Sequence, residues 1–222
     1  MNVVWIRPET EAGNSAGLNH GRRDGLRIER GRARLDDASD DELVALVASG
    51  NQAACALLVE RHLTRMLSLA RRMLGNQADA EEVAQEVFLR VWTHAARWEP
   101  GRAQFRTWLH RVATNLCLDR LRRHGTEDID SIPEPPSEDP GPDEQLEQSD
   151  LARRVEAALQ ALPPRQRAAV TLTHYQGFTN IEAAETLGIS VEAVESLLGR
   201  ARRQLRIALA TEKADYLRKM SI

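Results

Sequence analysis

From Leu43 onward, apolar residues recur at steps of three and four, the period of helices with one buried face. Ser39, followed three residues later by Glu42, has the capping-box pattern ahead of Leu43, Val44, Leu46 and Val47, and Gly50 can close that short helix. From about Asn51, the stripe Val59, Leu63, Met66, Leu67, Ala70 and Met73 predicts a longer helix ending near Gly75. A third is predicted from about Asp79 to Arg97, burying Ala80, Val83, Ala84, Val87 and Val91. After Pro100-Gly101 a fourth carries Phe105, Leu109, Val112 and Leu116 on one side and finishes in Arg120-Leu121-Arg122-Arg123. Farther on, Leu151, Val155, Leu159 and Leu162 repeat at helical spacing and Pro163-Pro164 interrupts them. A helix resumes from Arg165 to Tyr175, Gly177 stops it, and two short helices follow around Gly188. No segment alternates as a strand does, so the expected class is all-α, built as two small helical domains.

Composition divides the chain where the periodicity fails. Between Gly125 and Glu147 lie nine acidic residues and no Lys or Arg, so taking these nine from a net charge of −3 leaves +6 on the remainder. Five of the nine prolines fall there too, and a segment of proline and like charge buries too little apolar surface to offset its ordering entropy. Residues 125–146 are therefore a flexible acidic linker, serving either as a solvated spacer or as a negative field competing with nucleic acid for the basic surfaces. Residues 1–38, with five scattered glycines and no apolar period, are expected to be a disordered extension. The helical domains then span 39–124 and 147–210, and 211–222 is a tail.

At 222 residues and 42% apolar composition, the chain suits one or two small domains rather than a large enzyme with one deep core. No apolar run approaches the roughly 18 residues of a membrane span, so no membrane insertion is expected. Cys55 and Cys117 have neither CxxC nor Cys/His spacing, which supports no disulfide framework and no metal site. Met1 to Ile6 is too short for a signal core and Arg22-Arg23 is followed by no apolar stretch, so a cytoplasmic location is expected. The six histidines are dispersed and no Walker-type loop is present, so the chain is read as a non-enzyme without a cofactor.

Three surfaces carry the candidate chemistry. Ala184, Gly188 and Val194, at positions 5, 9 and 15 counted from Asn180, match a helix-turn-helix: a small residue at the helix crossing, a turn residue tolerant of left-handed backbone, and a branched anchor. Ser190 can cap its second helix; if that helix enters a major groove, Glu192, Ala193, Glu195 and Ser196 are offered to base edges and Arg200, Arg202, Arg203 and Arg206 would take phosphates. Glu192 and Glu195 either accept from cytosine amino groups or are favourable charges at a helix start. Along the fourth helix, Arg111, Asn115, Asp119 and Arg122 share an arc of roughly 80° bordered by Trp108. With Trp98 and Phe105 nearby, that face suits phosphates and stacked unpaired bases. On the third helix Glu82, Gln85, Glu86 and Leu89 share an arc of about 100° that suits a protein partner.

The run Asp79-Ala80-Glu81-Glu82-Val83-Ala84-Gln85-Glu86-Val87-Phe88-Leu89-Arg90-Val91-Trp92 resembles region two of a bacterial RNA polymerase sigma factor. So does Phe105-Arg106-Thr107-Trp108-Leu109 with Asn115 and Asp119 to Arg123. Leu162-Pro163-Pro164-Arg165-Gln166-Arg167, Tyr175-Gln176-Gly177-Phe178 and the helix-turn-helix resemble region four of the same proteins, in the extracytoplasmic-function (ECF) group of the sigma-70 family. The resemblance covers about 39–124 and 147–209. It implies a four-helix region two, a helix-turn-helix region four, and binding to core RNA polymerase through Asp79, Glu82, Gln85, Glu86 and Leu89. It also implies contact with a minus-ten promoter element through Trp98, Phe105, Trp108, Arg111, Asn115, Asp119, Arg122 and Arg123. A minus-thirty-five element would meet Ser190, Glu192, Ala193, Glu195, Ser196, Arg200, Arg202 and Arg203. An anti-sigma factor clasped between the domains, in a stress or environmental response, is implied as well. Glu195 and Leu197 stand where many relatives carry Lys and Arg, and Thr114 where many carry Arg, so the promoter sequence read differs. A sigma-like decoy that binds an anti-sigma factor and a stand-alone helix-turn-helix regulator are the alternatives.

Overall fold

The computed structural model describes residues 35–99, 101, 104–127 and 143–219. Residues from Ser39 onward form one compact unit. The described part of the preceding unit is a turn in which Ala38 N–H donates to the Leu35 carbonyl at 3.0 Å. Described secondary structure is helical throughout: α1 (Asp40–Ala48), α2 (Gln52–Leu74), α3 (Gln77–His94), a 3-10 turn (Ala95–Arg97) and α4 (Phe105–Glu127). After the acidic segment come α5 (Asp143–Gln160), α6 (Pro164–Val170), a wide turn (Thr171–Tyr175), α7 (Asn180–Leu187) and α8 (Val191–Lys219).

Helix starts and stops follow the local chemistry. Ser39 and Glu42 close the capping box of α1, Ser39 N–H reaching Glu42 Oε2 at 2.7 Å and Glu42 N–H reaching Ser39 Oγ at 3.3 Å. Asn51 and Asn76 cap α2 and α3, and Gly75 ends α2 in the left-handed region at φ 82°. Two boundaries depart from the sequence reading. α4 runs on to Glu127 and α5 begins at Asp143, so helix enters the expected linker from both sides; residues 128–142 lie outside those described. The helix after Gly188 is not short: it covers 29 residues and takes up most of the expected tail. The expected disordered extension falls, up to residue 34, outside the described residues.

The first four helices share a core of Leu43, Leu58, Met66, Leu69, Met73, Val83, Val87 and Leu109. On α2 the buried stripe is rotated from the predicted one. Leu58, His62 and Leu69 are inside, Val59 and Leu67 are half-buried, and Leu63 is exposed. His62 can occupy a core position because Asp40 accepts from its Nε2 at 2.7 Å. On α4 Phe105 and Leu109 are buried as expected, but Ala113 and Cys117 continue the stripe while Val112 and Leu116 are half-buried. The reason is tertiary: α7 and Phe178 cover a second side of α4, so His110 is buried too, its ring 4.6 Å from that of Phe178.

The second half packs Leu159, Leu162, Leu172, Val194 and Leu198 into its own core and joins the first along α2 and α4. At the end of α2, where helix carbonyls lack intrahelical donors, Gln160 Nε2 donates to the Arg72 carbonyl at 2.8 Å and Arg167 Nη1 to the Met73 carbonyl at 2.5 Å. Buried Arg167 also donates to the Gln160 and Leu162 carbonyls. Along α4, Arg106 Nη2 donates to the Gln176 carbonyl at 2.5 Å, and its guanidinium lies over the Phe178 ring at 4.3 Å.

Candidate nucleic-acid interface

The aromatic side chains gather where the 3-10 turn leads into α4. Trp98 meets Phe105 edge-on with centroids 5.7 Å apart and Trp108 at 5.9 Å, and Phe105 stacks on Trp108 at 5.9 Å. Phe105 is buried and both indoles are half-buried, so the rings offer apolar surface to a ligand without leaving the core. A cavity of about 140 Å³ opens beside them, walled also by Val44, Val91 and His94. Two residues that the sequence reading passed over hold this corner. Asp41 accepts from Trp98 Nε1 at 3.0 Å, and His62 stands edge-on to Phe105 with centroids 5.6 Å apart.

Farther along α4, Arg111, Asn115, Asp119 and Arg122 are exposed on one face, as their spacing predicts, and Arg123 is exposed beside it. Arg122 is tied to Asp119 at 3.1 Å. Arg111 lies against the turn of the second half, its Nη2 3.4 Å from where a Cβ on Gly188 would stand. Behind this face Cys117 is buried, and desolvation pushes its thiol up to about 12, which leaves it an inert packing residue.

On α3 the outer arc holds Glu82, Gln85, Glu86 and Leu89, with Leu89 56% exposed and Trp92 one step beyond it at 40%. Trp92 shares the i, i+3 spacing of that arc, which is the signal that could have found it. The acids here are already engaged within the chain. Arg120 bridges Asp79 at 3.3 Å and Glu82 at 2.9 Å, and Glu86 pairs with Arg90 at 2.9 Å. Asp79 N–H donates to the capping Asn76 Oδ1 at 2.8 Å and its carboxylate accepts from Asn76 Nδ2 at 2.6 Å, so it orders the start of α3.

The helix-turn-helix has the predicted parts in place. Thr179 and Glu182 form a capping box for α7, Gly188 turns at φ 63°, and Ser190 Oγ accepts from Ala193 N–H at 3.2 Å to start α8. Ala184 and Val194 are buried at the helix crossing. Ser190, Glu192, Glu195, Ser196, Arg200, Arg202 and Arg203 are exposed, and Ala193 is half-buried. Arg200 Nη2 rests on Ser196 Oγ at 2.9 Å. Hydrogen bonds from its own backbone N–H and from Ser190 hold the Glu192 carboxyl below the usual glutamate range, which favours the helix-start role for this residue.

Among the described residues no group of three or more His, Cys, Asp or Glu could hold a metal ion, and no helix is long and apolar enough to cross a membrane.

The family models for sigma-70 region 2 and sigma-70 region 4 match residues 58–127 and 152–205. The chain is 41% identical over 175 residues to the ECF RNA polymerase sigma factor SigE of Mycolicibacterium smegmatis, covering 76% of this chain and 67% of that protein. It is 35% identical over 181 residues to the RNA polymerase sigma factor CnrH of Cupriavidus metallidurans, covering 77% and 94%. The structure of CnrH in complex with the cytosolic domain of CnrY aligns at a TM-score of 0.59 and 33% identity over 78% of this chain and 97% of that one. A sigma factor RpoE in complex with the anti-sigma factor NepR, from Bartonella quintana, shares the fold at a TM-score of 0.55 and 23% identity over 70% and 96%.

Proposed function

Since the chain belongs to the sigma-70 family of RNA polymerase sigma factors, in its ECF group, we propose that it docks on core RNA polymerase through α3 and opens promoter DNA with the corner between α3 and α4. In this reading Asp79, Glu82, Gln85, Glu86 and Leu89 form the polymerase face, with Trp92 added. Trp98, Phe105 and Trp108 stack unpaired minus-ten bases while Arg111, Asn115, Asp119, Arg122 and Arg123 follow the strand. The start of α8 reads the minus-thirty-five element, and Arg200, Arg202 and Arg203 meet phosphates. The observation that carries the reading is the pairing of an aromatic corner with an exposed cationic helix face in one half and a complete helix-turn-helix in the other. The free energy of opening comes from capturing bases, so the protein acts as a specificity subunit in the cytoplasm and not as an enzyme.

The geometry adds a requirement. Elements centred 25 base pairs apart lie about 85 Å apart at 3.4 Å per pair. α4 and α7 are packed neighbours, a separation of about 10 Å between axes. The two halves must therefore part along the Arg106–Phe178 and Arg167–Met73 seam before both elements are held, and the acidic segment is the tether that lets them. Because that seam is filled by the protein itself, an anti-sigma factor that acts on the packed form sits on its outside, across exposed Leu89 and Trp92.

Run-off transcription with core polymerase and a genomic promoter library tests the reading. Specific initiation is expected from a subset of promoters, and its absence from all of them would reject it. Gln85→Ala should weaken core association and leave duplex binding by the helix-turn-helix unchanged. Arg202→Ala should reduce the slope of log K against log salt by roughly one unit.

A further inference from the structure

We infer that Asp41 is a positioning residue for base capture: it sets the plane of the Trp98 indole so that the aromatic corner can receive an unpaired base. The inference rests on the role proposed above for Trp98, Phe105 and Trp108, and its test separates the two.

The first turn of α1 carries three consecutive carboxylates, an arrangement a favourable helix dipole alone would explain. Their contacts show three separate tasks. Glu42 stays within the turn and completes the capping box with Ser39. Asp40 reaches α2, where it accepts from His62 Nε2 at 2.7 Å and pairs with Arg61 at 3.1 Å. Those two partners hold the Asp40 carboxyl below the usual aspartate range, His62 more than Arg61. Asp41 reaches 57 residues along the chain to accept from Trp98 Nε1 at 3.0 Å.

The consequences converge on one place. His62, held by Asp40, stands edge-on to Phe105, and Trp98, held by Asp41, stands edge-on to Phe105 and Trp108. Val44, one turn along α1, forms part of the cavity wall beside them. One short helix thus holds two of these four rings, Trp98 and His62, and part of the cavity wall. An indole rotates about two side-chain torsions, and a hydrogen bond at its one polar atom to an ionised acceptor selects one orientation. α1 itself precedes the span 58–127 matched by the region-two model.

The test uses holoenzyme assembled from core polymerase and the full chain, with a fork-junction DNA whose minus-ten non-template strand is single-stranded as the probe. Asp41→Ala should weaken fork-junction binding about fivefold, within the net range of one ordinary hydrogen bond. Asp41→Asn, which keeps an acceptor, should stay within about twofold of the parent. Core affinity and duplex binding by the helix-turn-helix should not move. In protein labelled with 5-fluorotryptophan, the Trp98 fluorine resonance should shift in Asp41→Ala and return in Asp41→Asn. Trp98→Phe keeps a ring but removes the donor, so adding Asp41→Ala to it should cost nothing further. That non-additivity decides the matter even where the alanine variant lowers stability. Wild-type fork-junction binding by Asp41→Ala while Trp98→Ala loses it would overturn the inference and leave the aromatic reading standing. Normal binding by both Trp98→Ala and Trp108→Ala would overturn the aromatic reading, and the inference with it.

Discussion

In the second half of the molecule, the contacts that shape the site join near neighbours. Thr179 and Glu182 cap each other across three positions, Gly188 turns the chain, and Ser190 caps Ala193 three residues on. In the first half they cross the chain: Asp41 to Trp98 over 57 residues, Asp79 to Arg120 over 41 and Asp40 to His62 over 22. A helix-turn-helix is a local device that a short sequence can specify, whereas the aromatic corner exists only when four helices have packed. The first site should therefore be more sensitive to distant substitutions than the second. The seam between the halves belongs to neither class, since each of its bonds joins a donor in one half to an acceptor in the other, in both directions.

The largest effect is expected at that seam. Arg167→Leu leaves the Met73, Gln160 and Leu162 carbonyls without their buried donor, for a loss of about 3 kcal/mol in urea unfolding. All four tryptophans precede the acidic segment, so tryptophan fluorescence reports unfolding outside the second half. A lower fluorescence midpoint in Arg167→Leu shows that the halves support each other, and an unchanged one shows that they stand alone.

His110 sharpens the same comparison through pH. Burial under Phe178 lowers its pKa from 6.5 to about 4, so between these values the unfolded chain binds the proton and the folded one does not. Stability is then full above about pH 6.5 and falls as pH drops toward about 4, by about 3 kcal/mol at the lower end. Urea melts at several pH values should show this slope, and it should flatten in Phe178→Ala, where opened packing lets the imidazole titrate nearer its ordinary range.

The smallest effects belong to the local device. Gly188→Ala puts a side chain at φ 63° and against Arg111, and should cost about 1 kcal/mol. Thr179→Ala removes one cap of α7 for about 1 kcal/mol or slightly less. Both should weaken duplex binding more than fork-junction binding, and an equal loss on the two probes would erase the contrast between the halves.

Legibility in the sequence followed the same division. Helix existence, the caps at Ser39 and Ser190, the left-handed Gly188 and the exposed arcs of α3 and α8 could all be read, because each depends on residues within a turn or two of each other. The buried sides of α2 and α4 were misjudged at Leu63, Val112 and Leu116, because a single apolar stripe cannot show that a helix is covered on two sides. The extent of α8 was misjudged as well, since no stop signal separates its recognition turns from the expected tail.

The amino-acid order by itself determined the all-α class, the family and the local form of the helix-turn-helix, since these rest on short-range periodicity and capping. Only the tertiary structure decided that His62 is a core residue, that Asp79 and Glu82 share Arg120, that Asp41 holds Trp98, and that the halves meet through Arg106 and Arg167. Such pairings depend on which helix faces meet, and no local spacing carries that information.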